Sequence, residues 1–121
     1  MTPEMVQDWI HRYIDAWRSY DTNAISELFT AEATYAYNPW DQPLVGREAI
    51  VAGWLNDPDE PGSWEAEYRP LHVIGHDAVI VGETRYADGR TWANLFVVSF
   101  DGAGRCTSFV EWYMKKPTSD V

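Results

Sequence analysis

The tightest constraint on this chain lies in its last third. Two strand-like runs meet at Tyr86-Ala87-Asp88-Gly89-Arg90-Thr91, and a third run ends in Phe109-Val110-Glu111-Trp112-Tyr113. Asp-Gly between alternating strands signals a hairpin, and a two-residue turn there predicts that Glu83 faces Asn94, Arg85 faces Trp92 and Val81 faces Phe96. Continued alternation puts Glu83, Arg85, Trp92, Asn94, Phe96, Phe109, Glu111 and Tyr113 on one face of the sheet. Ile80, Gly82, Thr84, Ala93, Leu95, Val97, Val110 and Trp112 then take the other. Two acids, an arginine and an amide among aromatics is the residue mixture of a binding or active site.

The segments before the hairpin read as helices. Thr2-Pro3-Glu4 carries a hydroxyl cap, a proline for the first turn and an acid near the positive dipole end. Val6, Ile10, Ile14 and Trp17 then recur at helical spacing, so a first helix runs to about residue 19. Asp21-Thr22-Asn23 caps a short second helix to about residue 29, and 33–38 reads as a strand ended by Pro39. A loop at 40–45 leads through Gly46-Arg47-Glu48 into a third helix to about residue 55. An acidic, turn-rich loop at 56–63 precedes four strands near 64–75, 78–87, 90–100 and 105–115, and the tail after Lys116 is expected to fray. Helices followed by an antiparallel meander make one α+β domain over residues 1–121. Because both sheet faces carry apolar residues and helices can cover one of them, the other is expected to bury itself against a second copy, as a symmetric dimer.

Composition narrows the partners. Nineteen acids against nine bases leave a net charge of −10, which lacks the basic stripe needed to neutralise nucleic-acid phosphates or an anionic membrane. No apolar run is long enough to span a bilayer, and the start, Met1-Thr2-Pro3-Glu4, lacks the pattern of a secretory leader. The single Cys106 has no partner for an internal disulfide and reads as a packing residue, so a cytoplasmic location is expected. The three histidines, His11, His72 and His76, have no zinc spacing, and the acids near 57–67 lack a calcium-loop pattern, so no metal or other cofactor is expected.

His11-Arg12-Tyr13-Ile14, the run Ile25-Ser26-Glu27-Leu28-Phe29-Thr30-Ala31-Glu32-Ala33-Thr34, Gly46-Arg47-Glu48-Ala49-Ile50 and Phe100-Asp101-Gly102-Ala103-Gly104-Arg105 together resemble the nuclear transport factor 2-like, or SnoaL-like, superfamily over nearly the whole chain. The resemblance implies three N-terminal helices packed in the concave face of a strongly curved, mainly antiparallel sheet, forming a cone with an apolar pocket, usually in dimers. Members include isomerases, cyclases, dehydratases, epoxide hydrolases and non-catalytic binding modules, so the fold alone names no activity. Against ketosteroid isomerases, Tyr13 matches the helix tyrosine, but Tyr37 stands at the base position and Phe96 at the protonated acid. Against limonene-type epoxide hydrolases, Asn38 falls at the water-holding asparagine and Glu111 at the water-activating acid. Arg85 and Glu83 resemble the remaining arginine and acid in reversed order, and Ala36 replaces the water-binding tyrosine between Tyr35 and Tyr37.

Glu111 is the expected base, because a carboxyl on an inner strand is partly desolvated and its pKa rises. Arg85 and Glu83 are its expected catalytic partners. Tyr13, Trp17, Tyr37, Asn38, Trp92, Asn94, Phe96, Phe109 and Tyr113 are the expected substrate-binding residues. The expected ligand is an apolar, oxygenated small molecule. Whether the chain is catalytic stays open. One reading is a cofactor-independent lyase, isomerase or epoxide-hydrolase-like hydrolase. The other is a ligand-binding or dimerisation module in which Glu83, Arg85 and Glu111 close into a structural ion-pair network.

Overall fold

The computed structural model describes residues 1–117. The expected fraying of the tail concerns residues largely outside that range. Three helices, α1 (Pro3–Ser19), α2 (Thr22–Glu27) and α3 (Arg47–Asn56), pack on one face of a six-stranded sheet. Its strands are β1 (Phe29–Ala36), β2 (Leu44–Val45), β3 (Trp64–Ile74), β4 (Asp77–Tyr86), β5 (Thr91–Phe100) and β6 (Cys106–Lys115), in the order β2-β1-β6-β5-β4-β3. All neighbours are antiparallel except β1 and β6. This is the α+β arrangement of helices on a mainly antiparallel sheet that the resemblance implies.

Helix α1 begins as its sequence dictates. The Thr2 hydroxyl accepts the Met5 backbone N–H, Pro3 occupies the first turn, and Val6, Trp9, Ile10, Tyr13 and Ile14 form the buried stripe. Trp9 and Phe109 are fully buried, and the Trp9 indole N–H donates to the Leu28 carbonyl at 3.1 Å. The helix ends on Tyr20 in the left-handed region (φ 50), whose N–H closes on the Ala16 carbonyl.

Two boundaries differ from expectation. The second helix stops at Glu27 and the strand starts at Phe29, because that segment joins a parallel ladder: Cys106 N–H donates to the Leu28 carbonyl at 2.8 Å, and Phe29 pairs with Cys106. Inside the expected 40–45 loop, Leu44 and Val45 form a short edge strand against Tyr35 and Thr34.

The third difference moves side chains across the sheet. The β4–β5 connection is a three-residue loop, Ala87-Asp88-Gly89, with Tyr86 and Arg90 paired across it and Gly89 at φ 98. A turn followed by a left-handed glycine is the next most common hairpin after the two-residue form, and it advances the register by one. Thr84 therefore pairs with Trp92, Gly82 with Asn94, and Glu83 with Ala93. Ile80, Gly82 and Thr84 turn inward, while Glu83 and Arg85 turn outward. The placements of β5 and β6 side chains hold: Asn94, Phe96 and Phe109 are buried, whereas Val97, Trp112 and Met114 are exposed on the outer face.

Candidate functional site

The helices and the concave sheet face enclose a cavity of about 480 Å3. Helix α1 contributes Tyr13, Trp17 and Tyr20, and α3 contributes Gly53 and Trp54. Tyr35 and Tyr37 come from β1 and its end, Asp57 and Asp59 from the loop before β3, and Tyr68 from β3. Thr84, Tyr86, Trp92, Asn94, Phe96, Glu111 and Tyr113 complete the wall from β4, β5 and β6.

Glu111 lines this cavity from β6. Its carboxyl sits among aromatic rings, and burial pushes its pKa up to about 7 against a modest downward pull from the Asn94 hydrogen bond. Asn94 Nδ2 donates to Glu111 Oε2 at 2.6 Å. The orientation of that amide is itself set. Tyr68 shares a hydrogen bond of 2.5 Å with Thr84 Oγ1, and the Thr84 hydroxyl donates to Asn94 Oδ1 at 2.9 Å. With Thr84 donating to the amide oxygen, only the amide NH2 is left to face Glu111. Gly82 permits this row: a side chain there would strike the Glu67 carbonyl and the Tyr68 ring, so the close approach of β3 lets Tyr68 lie across Gly82 and reach Thr84.

A second polar pair lies in the same cavity. The hydroxyls of Tyr13 and Tyr35 are 3.0 Å apart, and Tyr35 stacks on Phe109 with ring centres 4.3 Å apart. Burial pushes both phenols well above the ordinary tyrosine range, so they stay protonated and keep O–H groups to donate. At the rim, Trp17 stacks on Trp64, and its indole N–H donates to Asp59 Oδ2 at 3.0 Å. The Asp59 backbone N–H donates to the Tyr20 hydroxyl at 2.8 Å, which fastens the 57–63 loop to the end of α1. Trp54 is buried in the wall, and its indole N–H has no hydrogen-bond partner among the described residues. Among the described residues no three His, Cys, Asp or Glu side chains are grouped as a metal site.

The structure brings Glu111, Tyr13, Trp17, Tyr37, Trp92, Asn94, Phe96 and Tyr113 to the cavity. Phe109 lies behind the wall, packed against Tyr35 and Tyr13. Three expected residues are elsewhere. Asn38 caps its own turn, accepting the backbone N–H groups of Trp40 and Asp41, as asparagines before tight turns do. Arg85 and Glu83 are on the outer face, where Arg85 meets Glu67 at 3.2 Å, Glu65 at 3.9 Å and Glu83 at 4.0 Å. The one-residue register change put them there, so the closed Glu83–Arg85–Glu111 network does not form. The epoxide-hydrolase comparison loses its asparagine and its arginine–acid pair together. Thr84, Tyr68, Tyr86, Tyr20, Asp57 and Asp59 were not anticipated at the site. A three-residue reading of the Ala87-Asp88-Gly89 loop would have turned Thr84 inward, but Asp57 and Asp59 in an acidic loop carry no such signal.

Among the described residues no helix is long and apolar enough to cross a membrane. In comparisons with solved structures, the chain is similar to an NTF-2-like protein from Burkholderia xenovorans LB400 at TM-score 0.75 and 16% identity, covering 96% of this chain and 88% of that one. A ketosteroid-isomerase-like protein from Kribbella flavida DSM 17836 superposes at TM-score 0.73 and 13% identity, covering 98% and 84%. An NTF2-like protein from Mesorhizobium loti superposes at 0.68 and 21%, covering 93% of each. Identities this low show the fold alone. Among curated proteins, the ECF RNA polymerase sigma factor SigG of Mycobacterium tuberculosis, in two strains, is 44% identical over 50 residues. That stretch is 41% of this chain and 13% of the sigma factor, so the match spans a small part of its relative. The model of the SnoaL-like domain matches residues 10–112, and the chain belongs to that family.

Proposed function

We propose that the protein binds an apolar, oxygenated small molecule in the cavity and acts on it by acid–base chemistry without a cofactor, as an isomerase, cyclase, lyase or hydrolase. The observation that carries this reading is the Glu111 carboxyl, set in an aromatic cavity with a pKa of about 7. A group with that pKa both takes and gives a proton near neutral pH, which is the optimum for general acid–base work. Asn94 engages Oε2, leaving Oε1 to remove a proton from a substrate carbon or from a water. Within the Tyr13–Tyr35 pair one hydroxyl donates to the other, and the remaining O–H would donate to a substrate oxygen as negative charge develops there. Proton transfer by such a positioned group contributes about 10²–10⁴ in rate.

Dimerisation through the outer face belongs to the same proposal. Val97, Trp112 and Met114 are exposed there, and the ion pairs of Arg85 border them. A cytoplasmic setting is part of the proposal, supported by Cys106 being the single cysteine, so that no internal disulfide is available to the fold.

The test is thermal stability against a panel of steroids, polyketide-like aromatics, terpenes and their epoxides. A cavity ligand at 100 times its Kd adds about 2.7 kcal/mol. A class that stabilises the protein then goes to turnover assays, where Glu111→Gln should abolish turnover in a folded protein. Unchanged turnover in that variant would remove Glu111 from the role. The match to a sigma factor favours a second reading, a non-catalytic ligand-binding module, in which the panel gives a stabilising ligand but no product.

A further inference from the structure

We infer that the molecule taken by this cavity carries a positively charged nitrogen, a protonated amine or quaternary ammonium, on its flat apolar body. The inference rests on the cavity being a ligand site and names the chemistry of its occupant. Of the seventeen residues lining the cavity, eleven are aromatic and three are acids, Asp57, Asp59 and Glu111; none is Lys, Arg or His. Among the described residues none of those three acids has an ion-pair partner, although the chain pairs other acids with Arg12, Arg85 and Arg90.

An aromatic cavity with uncompensated carboxylates attracts cations in two ways. Ring faces carry negative quadrupole charge, and the part-buried carboxyls of Glu111 and Asp59 act at short range in a partly desolvated space, with the exposed Asp57 at the mouth. Rings bordering this region already accept cations: the Arg18 guanidinium lies 5.6 Å from the Trp64 ring centre, and that of Arg90 lies 4.7 Å from that of Tyr86. An anionic ligand would meet three acids and no Lys, Arg or His in the lining, with only hydroxyl, indole and amide donors to hold it. The acid-rich surface, net −10, also draws cations toward the mouth. Burial favours the protonated form of Glu111, so a bound cation would displace that proton to solvent and leave the carboxylate as its counter-ion.

The test is a matched pair of probes, 4-hydroxyphenyl-trimethylammonium and 4-tert-butylphenol, which share shape and differ in charge. Both are titrated calorimetrically at physiological salt into the wild type, Glu111→Gln, Asp59→Asn and the exposed-face control Glu32→Gln, which removes the same charge outside the cavity. The expected result is binding of the cation roughly tenfold or more tighter than its isostere. That preference should shrink in Glu111→Gln and Asp59→Asn and persist in Glu32→Gln. Melting curves identify any variant that fails to fold, and the two cavity variants serve as replacements for each other. Equal or tighter binding of the neutral probe would overturn the inference while leaving the cavity as a ligand site. A cation preference unchanged in both cavity variants would also overturn it, assigning the effect to surface charge. Binding of neither probe would overturn both the inference and the ligand-site reading.

Discussion

Asn94 and Glu111 meet diagonally across β5 and β6, with the amide nitrogen 2.6 Å from the carboxyl oxygen. The contact holds one oxygen of a part-buried acid, and its orientation is inherited through Thr84 from Tyr68. Replacing Asn94 by Leu strips the part-buried Glu111 carboxyl of that donor, while the Thr84 hydroxyl keeps Tyr68 as a partner. The expected cost is roughly 1–3 kcal/mol of stability, the range for an unsatisfied buried polar group. Because the amide favours the ionised carboxylate, its loss should also move the Glu111 midpoint upward. Chemical denaturation and a carboxyl titration measure the two effects separately. A midpoint that falls would contradict the arrangement.

Thr84→Val keeps the shape of the Thr84 side chain and removes its hydroxyl. Asn94 then loses the contact that sets its amide, so the variant should mimic part of the Asn94→Leu effect on the Glu111 midpoint. Ser at the same position, which restores a hydroxyl, should recover it. Equal midpoints in all three proteins would show that the row from Tyr68 does not orient the amide.

Glu111 makes stability depend on pH with a defined sign. Its folded pKa of about 7 lies above the ordinary value of 4.5, so the folded state binds the proton more tightly than the unfolded state does. The resulting stability is full below about pH 4.5 and is lost as pH rises toward and through 7. Glu111→Gln removes the cost of ionising the buried group. It should therefore be more stable than wild type by roughly 1–3 kcal/mol at pH 8, with the gap closing toward pH 4. Melting curves across this range decide it, and a gap that widens at low pH would contradict the sign.

Glu83→Gln and Arg85→Ala should leave ligand binding in the cavity unchanged and shift stability by about 1 kcal/mol or less, since their ion pairs are exposed. Trp112→Asp, by contrast, places a charge in the apolar outer face and should convert a dimer to monomer in sedimentation. A monomeric wild type would remove the dimer proposal.

The helices, the meander and the residues of β5 and β6 could be read in the sequence because their signals are periodic: Val6, Ile10 and Ile14 on a helix, and Asn94, Phe96 and Glu111 on alternating strands. The error in β4 came from one loop. Asp88-Gly89 fits a two-residue turn and a three-residue turn equally well by composition, and the choice between them decides whether Thr84 or Glu83 enters the cavity. Asn38 was misplaced for a different reason. An asparagine before Pro39-Trp40 suits a turn as readily as a site, and local capping won. Asp59 was out of reach of any pattern, because its place depends on contacts with Trp17 and Tyr20 across the fold.

The central claim is that the cavity holds Glu111 as a proton carrier near neutral pH. Its most direct test is the 13C carboxyl shift of Glu111 followed by NMR across pH, with the Glu111→Gln spectrum identifying the resonance. A midpoint near 7 is the expected result. A midpoint near 4.5, the value of an ordinary solvated glutamate, would contradict the account.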